Sequence, residues 1–420
     1  MCLFTDTFFC LYKFYSYICK RKFNSMKKTE NILQHLYKGK TYPRIINWEF
    51  MESIPEFAKL SECQQNPKWH SEGTALEHTK LADEKLRTEV LVGDDVFYEL
   101  NDDTELLIIR AAVVLHDIGK GVTTSLGKDG NWHSYGHEIE GEKIARVLLW
   151  KEDIFVREMI CSIIRYHMEP LRIFESKNWL LKMIEIGTRI PWKFLYYVKM
   201  ADLLGSVQLN GGTMADDLMK MEFIKTTAKT LNIWDRTSTR NDLRPLVKYF
   251  NDRSIFPWKV DCDGKRPVAV IMIGLPGAGK NTWIENNLNQ YPDAVQLSRD
   301  DIRVELGLCK SGEKYLGTKE EEDRVTEVYD SKLTKAMTEK RNVILNNIHL
   351  KKKYRETTVN TLRKAGYFVE YVYVEAPTIE DNYSRRDGQI TPERIKIMAL
   401  SFEWPDTNEY DKLTIAKQTK

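Results

Sequence analysis

Between Trp48 and about Asn232, apolar residues recur at intervals of three and four positions. This spacing places them on one face of a helix, as in the segments ALEHTKLADEKL, ELLIIRAAVVLHDIG and WKFLYYVKMADLLGSV. The turns between these segments are rich in Gly and Asp, for example at 126–132. The first half of the chain is therefore predicted to be all-α.

The pattern changes in the second half. Short β-branched or aromatic runs lie at 267–273, 294–298, 342–347 and 367–375, each separated from the next by enough residues for a crossover helix. Alternating strands and helices are typical of an α/β domain with a parallel sheet. We predict two domains, an all-α domain over 26–235 and an α/β domain over 268–420, joined by a polar connector over 236–267.

Composition restricts the class of protein. The 420 residues are 42% apolar and 30% charged, which fits a globular chain and excludes disorder. The net charge of only +2 provides no global basic field, so any site for a polyanion must be local. Seven scattered cysteines form no C-x-x-C pair, which favours reduced thiols and a cytoplasmic protein over a disulfide framework or zinc finger.

Residues 1–25 are aromatic and apolar, but Asp6 and Lys13 interrupt them. A membrane span needs about 20 mostly apolar residues, and a signal peptide has a basic start and a small-residue cleavage site. Residues 1–25 have neither the uninterrupted apolar run of a membrane span nor the basic start and cleavage site of a signal peptide. We expect an extension or a mistaken start ahead of Met26, and no stable membrane association.

Six of the eight histidines lie between 70 and 167. His116 and Asp117 are adjacent at the end of an apolar helix that Gly119 is placed to stop. Taken alone, each histidine is more often a core or surface imidazole than a metal ligand. Imidazoles combined with carboxylates and no thiolate favour a hydrolytic site for a divalent metal such as Mn, Co, Ni, Fe or Zn, which would lower the pKa of a bound water toward about 7.

The segment NPKWHSEGTALEH at 66–78, followed by LHDIGKG, HSYGHE, RYH and ADLLG, resembles the HD superfamily of metal-dependent phosphohydrolases. It is especially similar to the HD domains appended to some tRNA nucleotidyltransferases, over about 60–210. The resemblance implies a first metal held by His78, His116, Asp117 and Asp202, a second held by His137 and His167, and a phosphate faced by His70 and His133. Lys120 is a candidate contact to phosphate or metal-bound water, or else a solvated surface lysine.

The segment VAVIMIGLPGAGKNTWIENNL is predicted to form a strand, a glycine-rich turn and a helix. The pattern G-x-x-x-x-G-K in that context lets backbone N–H groups wrap a phosphate, while the lysine reaches the β and γ oxygens. It predicts an ATP site at Gly274, Gly277, Ala278, Gly279, Lys280, Asn281 and Thr282. Asn281 stands where Ser or Thr normally holds Mg²⁺, but the following Thr282 gives a loop similar to that of adenylate-kinase-type kinases.

Asp300 and Arg303 lie just beyond the second predicted strand, one helical turn apart. A carboxylate near an acceptor hydroxyl and an arginine for the acceptor's phosphate are what hydroxyl phosphorylation requires. Asp301 is the alternative base. The same residues could equally be a charged helix start.

The stretch from the glycine loop to about residue 400 resembles the 5′-hydroxyl polynucleotide kinases that phages carry. That resemblance implies that Lys280 contacts the β-phosphate, Asp300 is the general base and Arg303 holds the acceptor phosphate. It also implies that Arg386, or its neighbour Arg385, is a lid arginine over the donor phosphates. Asn347 stands where the family usually has Asp, so its contact with the acceptor strand or Mg²⁺ is in question.

As a whole, the chain looks like bifunctional end-healing enzymes with an N-terminal HD phosphoesterase and a C-terminal polynucleotide kinase. This implies hydrolysis of a 2′,3′-phosphate and 5′ phosphorylation with ATP and Mg²⁺, acting on RNA or DNA ends. No K-x-D-G ligase motif occurs, so a separate ligase is expected. A nucleic-acid patch is expected at Arg299, Arg303, Lys351, Lys352, Lys353 and Arg355, although the last four could equally be a solvated helix face.

Two alternatives remain open. One is an HD nucleotidase fused to a nucleoside or nucleotide kinase. The other is a nucleotide-binding regulatory protein whose kinase half is degenerate, because of Asn281 and Asn347. The sequence is compatible with a homo-oligomer.

Overall fold

The computed structural model describes residues 32–33, 46–92, 100, 103–207, 214–237, 266–310, 315–386 and 389–417. The chain divides into two compact units, Met1–Leu246 and Val247–Lys420. This division falls inside the predicted connector 236–267, most of which lies outside the described residues, as do residues 1–25. Among the described helices, none has the length and apolar character needed to cross a membrane.

The first unit is built mainly from helices. In chain order they are α1 (Trp48–Glu52), α2 (Pro55–Ala58), α3 (Ala75–Lys85), α4 (Asp103–Leu115), α5 (Lys120–Thr123), α6 (His137–Leu148), α7 (Ile154–Tyr166), α8 (Glu169–Arg172), α9 (Trp179–Gly187), α10 (Trp192–Gly205) and α11 (Met214–Thr230). Short 3₁₀ turns lie at Lys59–Ser61 and Ile173–Glu175, and a π turn at Leu86–Val90 extends α3. The prediction of a helical first half is confirmed.

Helices α4 and α10 form the centre of this unit. Every residue from Leu107 to Leu115 in α4 is buried, as is every residue from Trp192 to Lys199 in α10. A helix that is buried on all sides lies inside a bundle, and α3, α7 and α10 all pack against α4. The end of α4 and the C-terminal half of α10 therefore lie deep in the unit.

A small hairpin interrupts the helices. Strands β1 (Ser125–Leu126) and β2 (Trp132–His133) pair antiparallel between α5 and α6. The sequence indicated only a Gly- and Asp-rich turn here, because two-residue strands are too short for a periodic signal.

The second unit alternates strands and helices. Its elements are β3 (Val268–Ile273), α12 (Lys280–Asn287), a 3₁₀ turn (Leu288–Gln290), β4 (Val295–Leu297), α13 (Arg299–Glu305), α14 (Lys319–Thr338), β5 (Val343–Leu345), α15 (Lys352–Lys364), β6 (Phe368–Glu375), α16 (Ile379–Ser384), α17 (Pro392–Leu400) and β7 (Lys412–Lys417).

In the described part of this unit, five strands pair parallel in the order β4-β5-β3-β6-β7. The predicted parallel sheet is confirmed, although β7 was not predicted, since its segment KLTIAK is short and only partly buried. The carboxyl ends of parallel strands meet at one edge of the sheet, where α/β proteins bind ligands. The glycine loop after β3 and the residues after β4 and β5 share that edge.

Candidate functional site

His116 and Asp117 lie in the turn between α4, which ends at Leu115, and α5, which begins at Lys120. Because they are not on a continuous helix, both side chains can point into the first unit. The Ile118 amide donates to the Leu115 carbonyl and the Lys120 amide to the Asp117 carbonyl, which forms a tight turn. The His116 Nδ1 lies 2.7 Å from the Val113 carbonyl oxygen. A carbonyl can only accept, so Nδ1 carries a proton, and in the neutral ring the Nε2 lone pair faces the other side chains of the cluster.

His137 and His167 are oriented in the same way. Their Nδ1 atoms donate to the carbonyls of Ser134 at 2.8 Å and Ile164 at 2.7 Å. Their Nε2 atoms lie 3.2 Å apart, so in the neutral form of both rings two lone pairs face each other. Burial lowers the pKa of both imidazoles below the ordinary value, which favours the neutral form that ligates metals.

Asp117 connects these rings. One carboxylate oxygen lies 3.3 Å from the His116 Nε2 and the other 3.4 Å from the His137 Nε2. Burial alone would raise the pKa of Asp117, but His116 and Lys120 hold it well below its usual range. The side chain belongs to two groups of ligand atoms, each within 4.8 Å of one another, one with His78 and His116 and one with His137 and His167.

His78 and Asp202 complete the cluster. The His78 Nε2 lies 3.0 Å from an Asp202 oxygen, and its Nδ1 lies 2.9 Å from Glu72. Burial disfavours the charged imidazole, but hydrogen bonds with Asp202 and Glu72 raise the pKa of His78 to about 9. Asp202 and Glu72 therefore favour a positive charge at His78. The same carboxylates would favour a metal cation bound beside this ring.

The cluster fits a divalent cation. The buried Nε2 of His116 makes no hydrogen bond to any described residue, although buried polar atoms rarely lack a partner. In the neutral forms of His137 and His167, a cation between the two Nε2 atoms would satisfy both lone pairs. His78, His116, Asp117, His137, His167 and Asp202, all predicted metal ligands, are brought together by the fold.

The remaining predicted residues of this unit take different places. Lys120 is buried, and its Nζ lies 2.7 Å from Asp117 and 2.7 Å from Gln65, so it is no solvated surface lysine. His70 lies beside His78, with ring centroids 4.7 Å apart. His133 lies on the β1–β2 hairpin, where it pairs with Asp129 at 3.0 Å and stacks on Tyr135.

Glu72 was missed by the sequence reasoning. One of its oxygens accepts from both His70 at 2.8 Å and His78 at 2.9 Å, and the other accepts from the Val207 amide at 2.9 Å. Burial would raise the pKa of Glu72, but the hydrogen bonds from these histidines lower it well below its usual range. The available signal was an acid between two predicted histidine sites in HSEGTALEH.

The second unit holds the glycine loop between β3 and α12. Gly277 and Gly279 have φ values of 77° and 96°, which favour glycine. The Lys280 Nζ donates to the carbonyls of Gly274 and Leu275, both at 3.0 Å. Burial and the nearby Arg386 lower the pKa of Lys280 to about 8, and Asp300 opposes that shift. Arg386 and Asp300 are therefore close enough to Lys280 to affect its charge, as expected of groups that line one phosphate-binding site.

The two candidate lid arginines, Arg386 and Arg385, differ in burial. Arg385 is exposed, whereas Arg386 is partly buried, and its Nε makes no hydrogen bond to the residues that the structure describes. Ala278 is buried under the loop, and Thr282 is exposed at the start of α12.

Asp300 and Arg303 are brought together as predicted. The Arg303 Nη1 lies 2.5 Å from an oxygen of Asp300, whose side chain is 76% exposed. Arg303 also holds Glu322 with two hydrogen bonds of 2.7 and 3.0 Å, and Arg299 contacts the same carboxylate at 2.7 Å. The hydrogen bonds from Arg303 and Arg299 lower the pKa of Glu322 to about 2. Glu322 lies 19 residues after Arg303 in the chain, and no sequence motif indicated it.

Asn347 does not face the glycine loop. Its oxygen accepts from the Arg299 amide at 3.2 Å, and its nitrogen donates to Tyr329 at 3.3 Å. The preceding Asn346 instead donates to the Asn281 oxygen at 2.9 Å. The residue at the end of β5 that faces the loop is therefore Asn346, and this amide pair does not fit the expected protein-held Mg²⁺.

Most of the six residues expected to form a nucleic-acid patch are buried or ion-paired in the described part of the chain. Arg355 is fully buried and forms two hydrogen bonds with Glu409. Lys352 pairs with Asp406 at 2.5 Å, and Arg299 and Arg303 are held by Glu322. Only Lys351 and Lys353 of the six predicted residues are exposed without such an ion pair among the described contacts.

Comparison with known families agrees with this geometry. Residues 70–239 match the model of the HD domain, and residues 270–397 match the model of an AAA domain. Among proteins with curated descriptions, none matches the chain. The matched ranges contain the histidine cluster and the glycine loop, respectively.

Proposed function

Because the chain joins an HD phosphohydrolase domain to a P-loop, kinase-like AAA domain, we propose that it heals broken nucleic-acid ends, chiefly of RNA. The first unit would hydrolyse a terminal 2′,3′-phosphate and the second would phosphorylate a 5′-hydroxyl with ATP. Two phosphate chemistries on one chain need a common substrate, and a broken strand carries both ends. A separate ligase would then seal them.

The observation that carries the hydrolytic half is the buried contact of 3.2 Å between the Nε2 atoms of His137 and His167, whose Nδ1 atoms each face a backbone carbonyl. A divalent cation held by His78, His116, Asp117, His137, His167 and Asp202 would supply Lewis acidity and an activated water. The buried Lys120 and Lys199 pair with Asp117 at 2.7 Å and Asp202 at 2.6 Å. They offset the negative charge of these two carboxylates, which would otherwise repel a phosphate ester.

The kinase half rests on the shared environment of Lys280, Arg386 and Asp300. Lys280 and Arg386 would hold the donor phosphates. The acceptor hydroxyl oxygen would attack the γ-phosphorus while the bond to the ADP oxygen breaks, and the exposed Asp300 would take the hydroxyl proton. Arg303, already next to Asp300, would position that carboxylate and the acceptor.

The test uses one oligoribonucleotide that carries a 5′-hydroxyl and a 2′,3′-cyclic phosphate. Asp117→Ala should abolish only the reaction at the 3′ end, and Asp300→Ala only labelling of the 5′ end from ATP. Asp301→Ala is the matched control, since Asp301 is the exposed neighbour of Asp300. A wild-type chain that changes neither end would refute the proposal.

A second candidate is a fusion of nucleotidase and nucleoside or nucleotide kinase. The burial of Arg355 and the ion pairing of its neighbours favour it, because they remove most of the basic surface that a long polyanion would contact. Transfer from ATP to free nucleosides and nucleotides, compared with transfer to the 5′-hydroxyl oligonucleotide, separates the two.

A further inference from the structure

Two amides meet at the glycine loop. Asn281 directly follows Lys280 at the start of α12, and Asn346 directly follows β5, the strand beside β3. The Asn346 Nδ2 donates to the Asn281 Oδ1 at 2.9 Å. The pair lies at the sheet edge where the phosphates of a nucleotide would bind.

In P-loop enzymes these two positions supply a hydroxyl and a carboxylate, and the two groups hold Mg²⁺. Here neither side chain carries a charge, and the Asn281 oxygen is already used by Asn346. Mg²⁺ is bound in such sites through carboxylates and phosphate oxygens. The pair therefore leaves the protein side of the expected metal site without an anion.

The nearby carboxylates do not replace the missing charge. Asp300 is paired with Arg303, and Glu322 is held by Arg299 and Arg303. The cations behave differently. Lys280 donates only to carbonyls among its described contacts, and the Arg386 Nε makes no hydrogen bond to the described residues, so both are available to a triphosphate.

We propose that this loop binds its nucleotide through Lys280, Arg386 and the neutral Asn281–Asn346 pair, without a Mg²⁺ ion held by the protein. The inference rests on the proposed kinase function and specifies how its donor is bound. Nucleotide affinity is then nearly independent of Mg²⁺, because any ion present is held by the phosphates alone. Replacing Asn346 with a carboxylate should make nucleotide affinity depend on Mg²⁺, which it does not in the wild type.

The experiment measures binding of a fluorescent N-methylanthraniloyl-ATP to the full chain, in excess Mg²⁺ and in EDTA. For the wild type, the two dissociation constants should agree within about threefold. For Asn346→Asp, binding in EDTA should weaken by at least about tenfold, because the new charge repels the phosphates, and Mg²⁺ should restore it. Asn347→Asp is the matched control: it adds the same charge one residue away, beside Arg299 and Tyr329, and should resemble the wild type.

Strong dependence on Mg²⁺ in the wild type, unchanged in Asn346→Asp, would overturn the inference while leaving the kinase proposal intact. Failure of the wild type to bind under either condition would refute the nucleotide site and the kinase proposal together. Should Asn346→Asp not fold, as judged by circular dichroism, Asn281→Asp places the charge on the exposed partner and should give the same response. Lys280→Ala should lose binding in both buffers, and retained binding would overturn the inference.

Discussion

The two units each contain a buried cluster of charged and polar side chains, but the clusters differ in how their hydrogen bonds are satisfied. In the second unit, Arg355 donates to both oxygens of Glu409 and to the carbonyls of His349 and Leu350. In the first unit, the His116 Nε2 has no hydrogen bond among the described residues, and the Nε2 atoms of His137 and His167 lie 3.2 Å apart, with their lone pairs facing each other when both rings are neutral. A satisfied cluster stabilises a fold, whereas an unsatisfied one indicates a binding site.

The largest effect should come from breaking the satisfied cluster. Arg355→Ala leaves the buried Glu409 without its cation and should lower the free energy of unfolding of the second unit by about 3–5 kcal/mol. Urea denaturation followed by circular dichroism measures this loss. Lys353→Ala, on the exposed side of the same helix, should change it by less than about 0.5 kcal/mol. Equal effects would mean that Arg355 is not buried as described.

Binding of a metal to the histidine cluster of the first unit should instead raise the free energy of unfolding of that unit. A divalent metal at about 100 times its dissociation constant should stabilise the first unit by about 2.7 kcal/mol relative to the chelated protein. Scanning calorimetry of the chelated and loaded chain should show one transition moving and the transition of the second unit staying in place. A shift of both transitions would refute the assignment of the metal to the histidine cluster.

A smaller change tests whether Glu72 positions the histidine cluster for metal binding. Glu72→Gln keeps the size of the side chain but removes the charge that orients the His78 ring. Metal affinity, measured by isothermal titration calorimetry, should fall by about 10- to 100-fold. Glu62→Gln, at an exposed position, is the control and should leave the affinity unchanged. An unaltered affinity in Glu72→Gln would show that Glu72 has no positioning role.

The smallest effect concerns pH at the glycine loop. Since the pKa of Lys280 is lowered to about 8, the lysine is charged below that pH and loses its proton above it. Phosphates bind the charged form, so nucleotide affinity should fall by up to about tenfold per pH unit above pH 8. Titrations of N-methylanthraniloyl-ATP between pH 7 and 9.5 measure this. A flat profile would contradict the role given to Lys280.

The sequence indicated the architecture, the His116–Asp117 pair and the glycine loop because those features are local, whereas the full set of metal ligands came from the resemblance to the HD superfamily. Strand and helix periodicities, the adjacent His116 and Asp117 and the glycine loop are all read within a few residues. The residues that were missed or misplaced depend on contacts between distant segments. Glu322 is brought to Arg303 by the packing of α14, and Asn346 rather than Asn347 faces the loop because β5 ends at Leu345. The burial of Arg355 follows from which face of α15 meets the sheet.

Gly277 has a further consequence. A Cβ placed on it would lie 2.1 Å from the carbonyl oxygen of Asn382 in α16, so a methyl group would push the loop and that helix apart. The requirement for glycine here comes from the protein's own interior, before any ligand arrives. A homologue that had lost its phosphate chemistry would still need glycine at this position for packing. The presence of this glycine alone is therefore poor evidence that activity is retained.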